Sequence, residues 1–65
     1  MTITIKSNFD SIKANAAQTR IVRIAFDRDY KLEIESNELI FETENKEFFG
    51  EAKKILKEFG QIEVS

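Results

Sequence analysis

The sequence predicts an α+β domain: a small antiparallel or mixed β-sheet, in the order β-α-β-β-β-α-β, with helices on one face and solvent on the other. Three observations carry this reading. Apolar and polar residues alternate near the start, through the middle and at the end of the chain, which is the period of a half-buried strand. An apolar stripe at helical spacing runs from Phe48 to Phe59. A weaker helical pattern between Asn8 and Gln18 follows a capping signal.

In chain order, Ile3 and Ile5 alternate with Thr2, Thr4 and Lys6 and predict the first strand. Ser7 and Asp10 stand at capping-box spacing, and Phe9, Ile12, Ala16 and Ala17 fall near one helical face, so a helix is expected from about Asn8 to Gln18. From Arg20 to Thr43 the alternation returns. With Asp27, Arg28 and Asp29 as a three-residue hairpin loop, Phe26 faces Tyr30, Ile24 faces Leu32 and Val22 faces Ile34, while Arg23 faces Glu33 on the other side.

With Ser36 and Asn37 as a two-residue turn, Ile34 then faces Leu39, Leu32 faces Phe41, Lys31 faces Glu42 and Glu35 opposes Glu38. Both turns sort the apolar residues onto one side, and a one-residue slip would send them all to the other. The outer side would carry Ile21, Arg23, Ala25, Lys31, Glu33, Glu35, Glu38, Ile40 and Glu42.

The second helix spans Asn45 to Phe59, with Asn45 as cap, Glu47 near its positive end, and Lys53, Lys54 and Lys57 toward its negative end. Gly60 is the expected stop. Ile62 and Val64 then alternate with Gln61, Glu63 and Ser65 in a final short strand. The order approaches a split β-α-β arrangement with one extra strand. Residues 1–65 read as one domain, with no repeat, linker or low-complexity segment.

A chain of 65 residues buries only about 60% of the surface its unfolded form exposes, so its core needs support. With no Cys and no His, disulfides and the usual zinc ligands are excluded. Good aromatic packing is one support, since there are six Phe and one Tyr. A homodimer is the other. No metal and no cofactor are expected.

Met1 to Lys6 has no secretory pattern, and the longest apolar stretch, Ile21 to Phe26, is interrupted by Arg23 and too short to span a bilayer. The expectation is a cytoplasmic protein without a membrane partner.

Catalysis is not expected. The usual bases and nucleophiles, His and Cys, are missing, and the two glycines, Gly50 and Gly60, build no phosphate loop. A chain this short is expected to have little room for a pocket of roughly 300 Å³ or more. Asp27-Arg28-Asp29 opens like a calcium loop, but Leu32 stands where that loop needs Gly; it is read as a polar turn. Gly50, inside the second helical pattern, is read as locally tolerated or as a tight helix-on-sheet contact, with close approach by a partner as the functional alternative.

Charge is more informative. Residues 1–32 carry six Lys or Arg against three Asp, a net of +3, and residues 33–65 carry four Lys against nine Glu, a net of -5. Glu33, Glu35, Glu38, Glu42 and Glu44 would form an acidic patch on the open face, with Glu47 and Glu63 nearby. The first functional expectation is therefore a small non-enzymatic interaction module, an acidic inhibitor or accessory protein that occupies a basic, nucleic-acid-binding surface of a larger protein.

One alternative is a nucleic-acid-binding module contacting phosphates through Arg20, Arg23, Arg28 and Lys31. Its weakness is that Phe26, Tyr30 and Phe41 would face the core rather than an incoming base. Another is a structural subunit of a homo-oligomer, seeded by Ile21 and Ile40 if both are exposed on the outer face. The plainest reading of the acidic residues is a solvated face that keeps the sheet soluble.

Overall fold

In the computed structural model, which describes residues 2–6, 10–35 and 38–64, the chain runs β1 (Thr2–Lys6), α1 (Ser11–Ala25), β2 (Lys31–Glu35), β3 (Glu38–Glu42), α2 (Lys46–Lys57) and β4 (Glu63–Val64). The four strands form one sheet in the order β2-β3-β1-β4, with antiparallel neighbours throughout. β1 and β2 both run opposite to β3 and so are parallel to each other, which requires a crossover, here made by α1. The same holds for β3 and β4, joined through α2. The result is the split β-α-β arrangement, an α+β fold of the predicted class.

The β2–β3 register matches the predicted one at every named pair: Lys31 with Glu42, Leu32 with Phe41, Ile34 with Leu39 and Glu35 with Glu38. Ser36 and Asn37, assigned to the turn, lie outside the described residues, as do Ser7, Asn8 and Phe9 of the predicted first helix and Ser65 of the final strand. On β1, Ile3 lies beside Phe41 and Ile5 beside Leu39. These four side chains are buried on one sheet face and form a single core with both helices.

The predicted extra strand at 20–26 does not exist. A single 15-residue helix runs from Ser11 to Ala25, capped by Asp10, whose carboxylate accepts from the Lys13 N–H at 2.9 Å. Ala14, Ala17, Ile21 and Ala25 are buried, at the three- and four-residue spacing of one helical face. Ile21, expected on the outer sheet face, is 0% exposed, whereas Val22, expected inside, is 51% exposed. Ile12, expected on the buried face, is 79% exposed. The inversion follows from the change of period: a side chain placed by twos changes sides when it is placed by 3.6.

Asp27, Arg28 and Asp29 accordingly connect a helix to a strand instead of closing a hairpin. The Arg28 N–H donates to the Ala25 carbonyl at 2.9 Å, closing a turn in which Phe26 has φ 50° and ψ -121°. That is the first central position of a type II′ turn, where Gly is usual. Holding Phe there costs about 1–3 kcal/mol. Its ring, expected in the core, is 84% exposed.

The second helix is the predicted one. Asn45 caps it, accepting from the Phe48 N–H at 2.9 Å, and Phe48, Phe49, Ala52, Ile55 and Leu56 are buried. Tyr30, Phe41 and Phe48 pack as a triad with centroids 5.2–5.9 Å apart, two of the contacts edge-to-face. The helix ends by tightening, with Glu58 and Phe59 N–H groups donating three residues back. Gly60 has no positive φ, so it is not the left-handed stop expected of it. Nothing lies within 4 Å of a Cβ built on Gly50, so the tight contact inferred there is absent. Among the described residues no helix is long and apolar enough to cross a membrane.

Candidate functional site

Both helices cover the face that carries Ile3, Ile5, Leu39 and Phe41, so alternation leaves the opposite face open. Strand register arranges that face in rows. Lys31, Glu42 and Thr2 form one; Glu33, Ile40, Thr4 and Glu63 form the next; Glu35 and Glu38 form the third. Neighbouring strands are about 4.8 Å apart, and successive same-face residues about 6.8 Å.

Glu33, Glu35, Glu38 and Glu42 thus share one surface patch on two adjacent strands. Glu33, Glu35 and Glu42 are exposed, and Glu38 and Ile40 are half-buried. The Thr2 hydroxyl lies 3.5 Å from a Glu42 carboxylate oxygen. Glu35 faces Glu38 directly, an arrangement of like charges that destabilises the pair.

Glu44, the fifth predicted residue, is exposed in the bend after β3 and borders the sheet end. There, an open depression of about 620 Å³ is lined by Phe26, Asp27, Arg28, Asp29, Glu44 and Asn45. A smaller one of about 300 Å³ is lined by Asp29, Tyr30, Lys31, Glu42, Thr43 and Glu44. Both are open to the surface, where the 26–30 connection meets the β3–α2 bend at the sheet end. Sequence reasoning missed this juxtaposition: Asp27 and Asp29 are brought beside Glu44 only by the crossover. Glu47 lies in the first turn of α2 and is not on the sheet face. Glu63, exposed on β4, is opposite Thr4.

Buried Thr43 holds the two segments in place. Its hydroxyl donates to the Asp29 carbonyl at 2.9 Å and accepts from the Asn45 N–H at 3.2 Å, tying the β2 entrance to the cap of α2. No group of three or more acidic side chains among the described residues is arranged to hold a metal ion.

The basic residues are dispersed. Arg20, on α1, donates both ends of its guanidinium to Glu58 beyond α2, each at 3.0 Å, and lies over the Phe59 ring. That hydrogen bond holds the Glu58 carboxyl below the ordinary glutamate range and raises the Arg20 guanidinium. Arg28 pairs with Glu51 and lies over the Phe48 ring. Arg23 is exposed in the last turn of α1, while Lys31 is on the open sheet face opposite Glu42. The pairing predicted between Arg23 and Glu33 does not occur, since Arg23 is helical. Arg20, Arg23, Arg28 and Lys31 therefore do not form one patch. Ile21 and Ile40 do not meet on an outer face either, because Ile21 is in the core.

No protein-family model matches the chain, and no curated protein or solved structure matches it.

Proposed function

We propose that the protein is a non-enzymatic interaction module, working in the cytoplasm, whose open sheet face occupies a basic surface on a larger protein. One observation carries the reading: Glu33, Glu35, Glu38 and Glu42 are gathered on adjacent strands, on the sheet face opposite the helices. A predominantly acidic patch, with Lys31 at its edge, steers a partner of opposite sign and selects against phosphate. A groove that normally holds nucleic acid has the required charge, which makes an inhibitor or accessory role the natural use of such a surface.

The test reverses Glu33, Glu35 and Glu42 to Lys together and measures pulldown of the cellular partner, with circular dichroism as the check on folding. Capture should be lost with the helix and sheet signal retained, and wild-type capture should weaken as salt rises. Unchanged capture by a folded triple variant removes this face from the account.

A further inference from the structure

β2 is an edge strand: among the described residues its one sheet neighbour is β3. At that edge the core-side residues Leu32 and Ile34 are incompletely covered, and Ile34 is 37% exposed. On the open face β2 carries Lys31, Glu33 and Glu35. Charges on an edge strand ordinarily discourage pairing with another strand. Here their order makes them self-complementary.

A second β2 approaching antiparallel about a two-fold axis must keep apolar residues on the core side, so the axis passes through a residue of the strand, and each choice gives one register. Centred on Lys31 or Glu35, it sets that charge against its own copy. Centred on Ile34, it sets Glu33 against Glu35 twice. Centred on Glu33, it offers two Lys31–Glu35 pairs but places Glu33 against its own copy between them. Centred on Leu32, it sets Lys31 against Glu33 of the second copy twice, joins Leu32 to Leu32, and brings Tyr30 toward Ile34 on the core side. Among the residues of β2 itself, that last register alone gains two opposite-charge pairs with no like charges facing each other; beyond the strand it brings Asp29 level with Glu35, just as it brings Tyr30 level with Ile34.

We propose that two copies of this chain associate edge to edge through β2, with the two-fold axis at Leu32 and two reciprocal Lys31–Glu33 pairs selecting that register. The sheet becomes eight-stranded, the exposed side of Ile34 is covered, and the two open acidic faces become continuous. This association stands independently of the partner proposed above, because it is read from self-association alone.

Sedimentation velocity over a wide concentration range tests it on the full chain, on Lys31→Glu, on Glu33→Lys, on their equimolar mixture and on the double variant. Wild type should show a monomer–dimer equilibrium. Each single variant creates two like-charge pairs and should raise the dissociation constant about tenfold or more. The mixture should recover dimers, because the glutamate introduced in one variant then meets the lysine introduced in the other while the native Lys31 and Glu33 still pair. The double variant should recover them as well, with both pairs reversed. Should a charge reversal unfold a single variant, Lys31→Gln and Glu33→Gln replace it, each expected to weaken the dimer, with partial recovery on mixing because the mixed dimer keeps one Lys31–Glu33 pair. A chain that stays monomeric to millimolar concentration overturns the proposal. So does a dimer indifferent to these substitutions, which would form through another surface, such as Ile12 and Val22 on α1.

Discussion

Gly50 lies within α2, half-buried, with open space where a side chain would begin. Its presence is a cost to the helix, since Gly is about 1 kcal/mol worse than Ala in a helix interior. Gly50→Ala should therefore raise stability by about 1 kcal/mol, read as a higher urea midpoint with an unchanged slope. A loss instead would mean that something packs against that point. Phe26 is a second residue at odds with its backbone, an exposed aromatic at a position suited to Gly. Neither feature is legible from periodicity: the pattern places Gly50 inside a helix and Phe26 inside a strand, but the space beside one and the φ of the other exist only once the crossover is made.

At the scale of elements, α2 was legible in its start and its buried face, though not in its end at Lys57, and α1 was not. The reason lies in how each distributes its apolar residues. α2 concentrates Phe48, Phe49, Ala52, Ile55 and Leu56 on one face, so a single period fits it. α1 buries three alanines and Ile21 while exposing Ile12 and Val22, so helical periodicity is weak there. The β-branched Ile21, Val22 and Ile24 also favour a strand locally.

The two readings of residues 20–26 differ in what they bury, and mutation separates them. Ile21→Ala should cost about 2–5 kcal/mol, the penalty of emptying a fully buried aliphatic site, while Val22→Ala should change stability by less than about 0.5 kcal/mol. Chemical denaturation of both variants checks the helix directly, and the reverse order would restore the strand. By contrast the β2–β3 hairpin, with its acidic outer face, was legible at residue level: alternation and cross-strand pairing agree within one short stretch of chain. The depression at the sheet end was not, because its two walls are distant in sequence.

For the whole molecule, the helices are joined to each other as well as to the sheet. Arg20 to Glu58 links α1 to the end of α2, and Arg28 to Glu51 links the segment after α1 to the middle of α2. The first pair makes stability depend on pH in a defined direction. Glu58 is held below the ordinary glutamate range in the folded state, so its contribution is complete above that range and is lost as pH falls through the lowered value. Arg20 is raised, so its contribution is complete below the ordinary arginine range and does not vary on the acid side. The stability difference between wild type and Glu58→Gln should therefore be largest at neutral pH and shrink on acidification, as urea titrations at several pH values would read. Both side chains are exposed, so the whole effect is small. A difference that grows toward acid would contradict the pairing.

The sequence by itself determined α2, the β2–β3 register, the two terminal strands and the collection of Glu33, Glu35, Glu38 and Glu42 on one face. Each of these is specified by neighbours in the chain, where period and pairing can be checked against each other. Only the tertiary structure decided what residues 20–25 become and which strand β1 joins. Val22, Ile24 and Phe26 are spaced by two, while Ala14, Ala17, Ile21 and Ala25 are spaced by three and four, so the segment satisfies both periods. The choice falls to the helix because β1 and β2 lie parallel on either side of β3. Parallel strands need a crossover, and a continuous α1 makes it while placing Ile21 in the core that β1, β3 and α2 enclose.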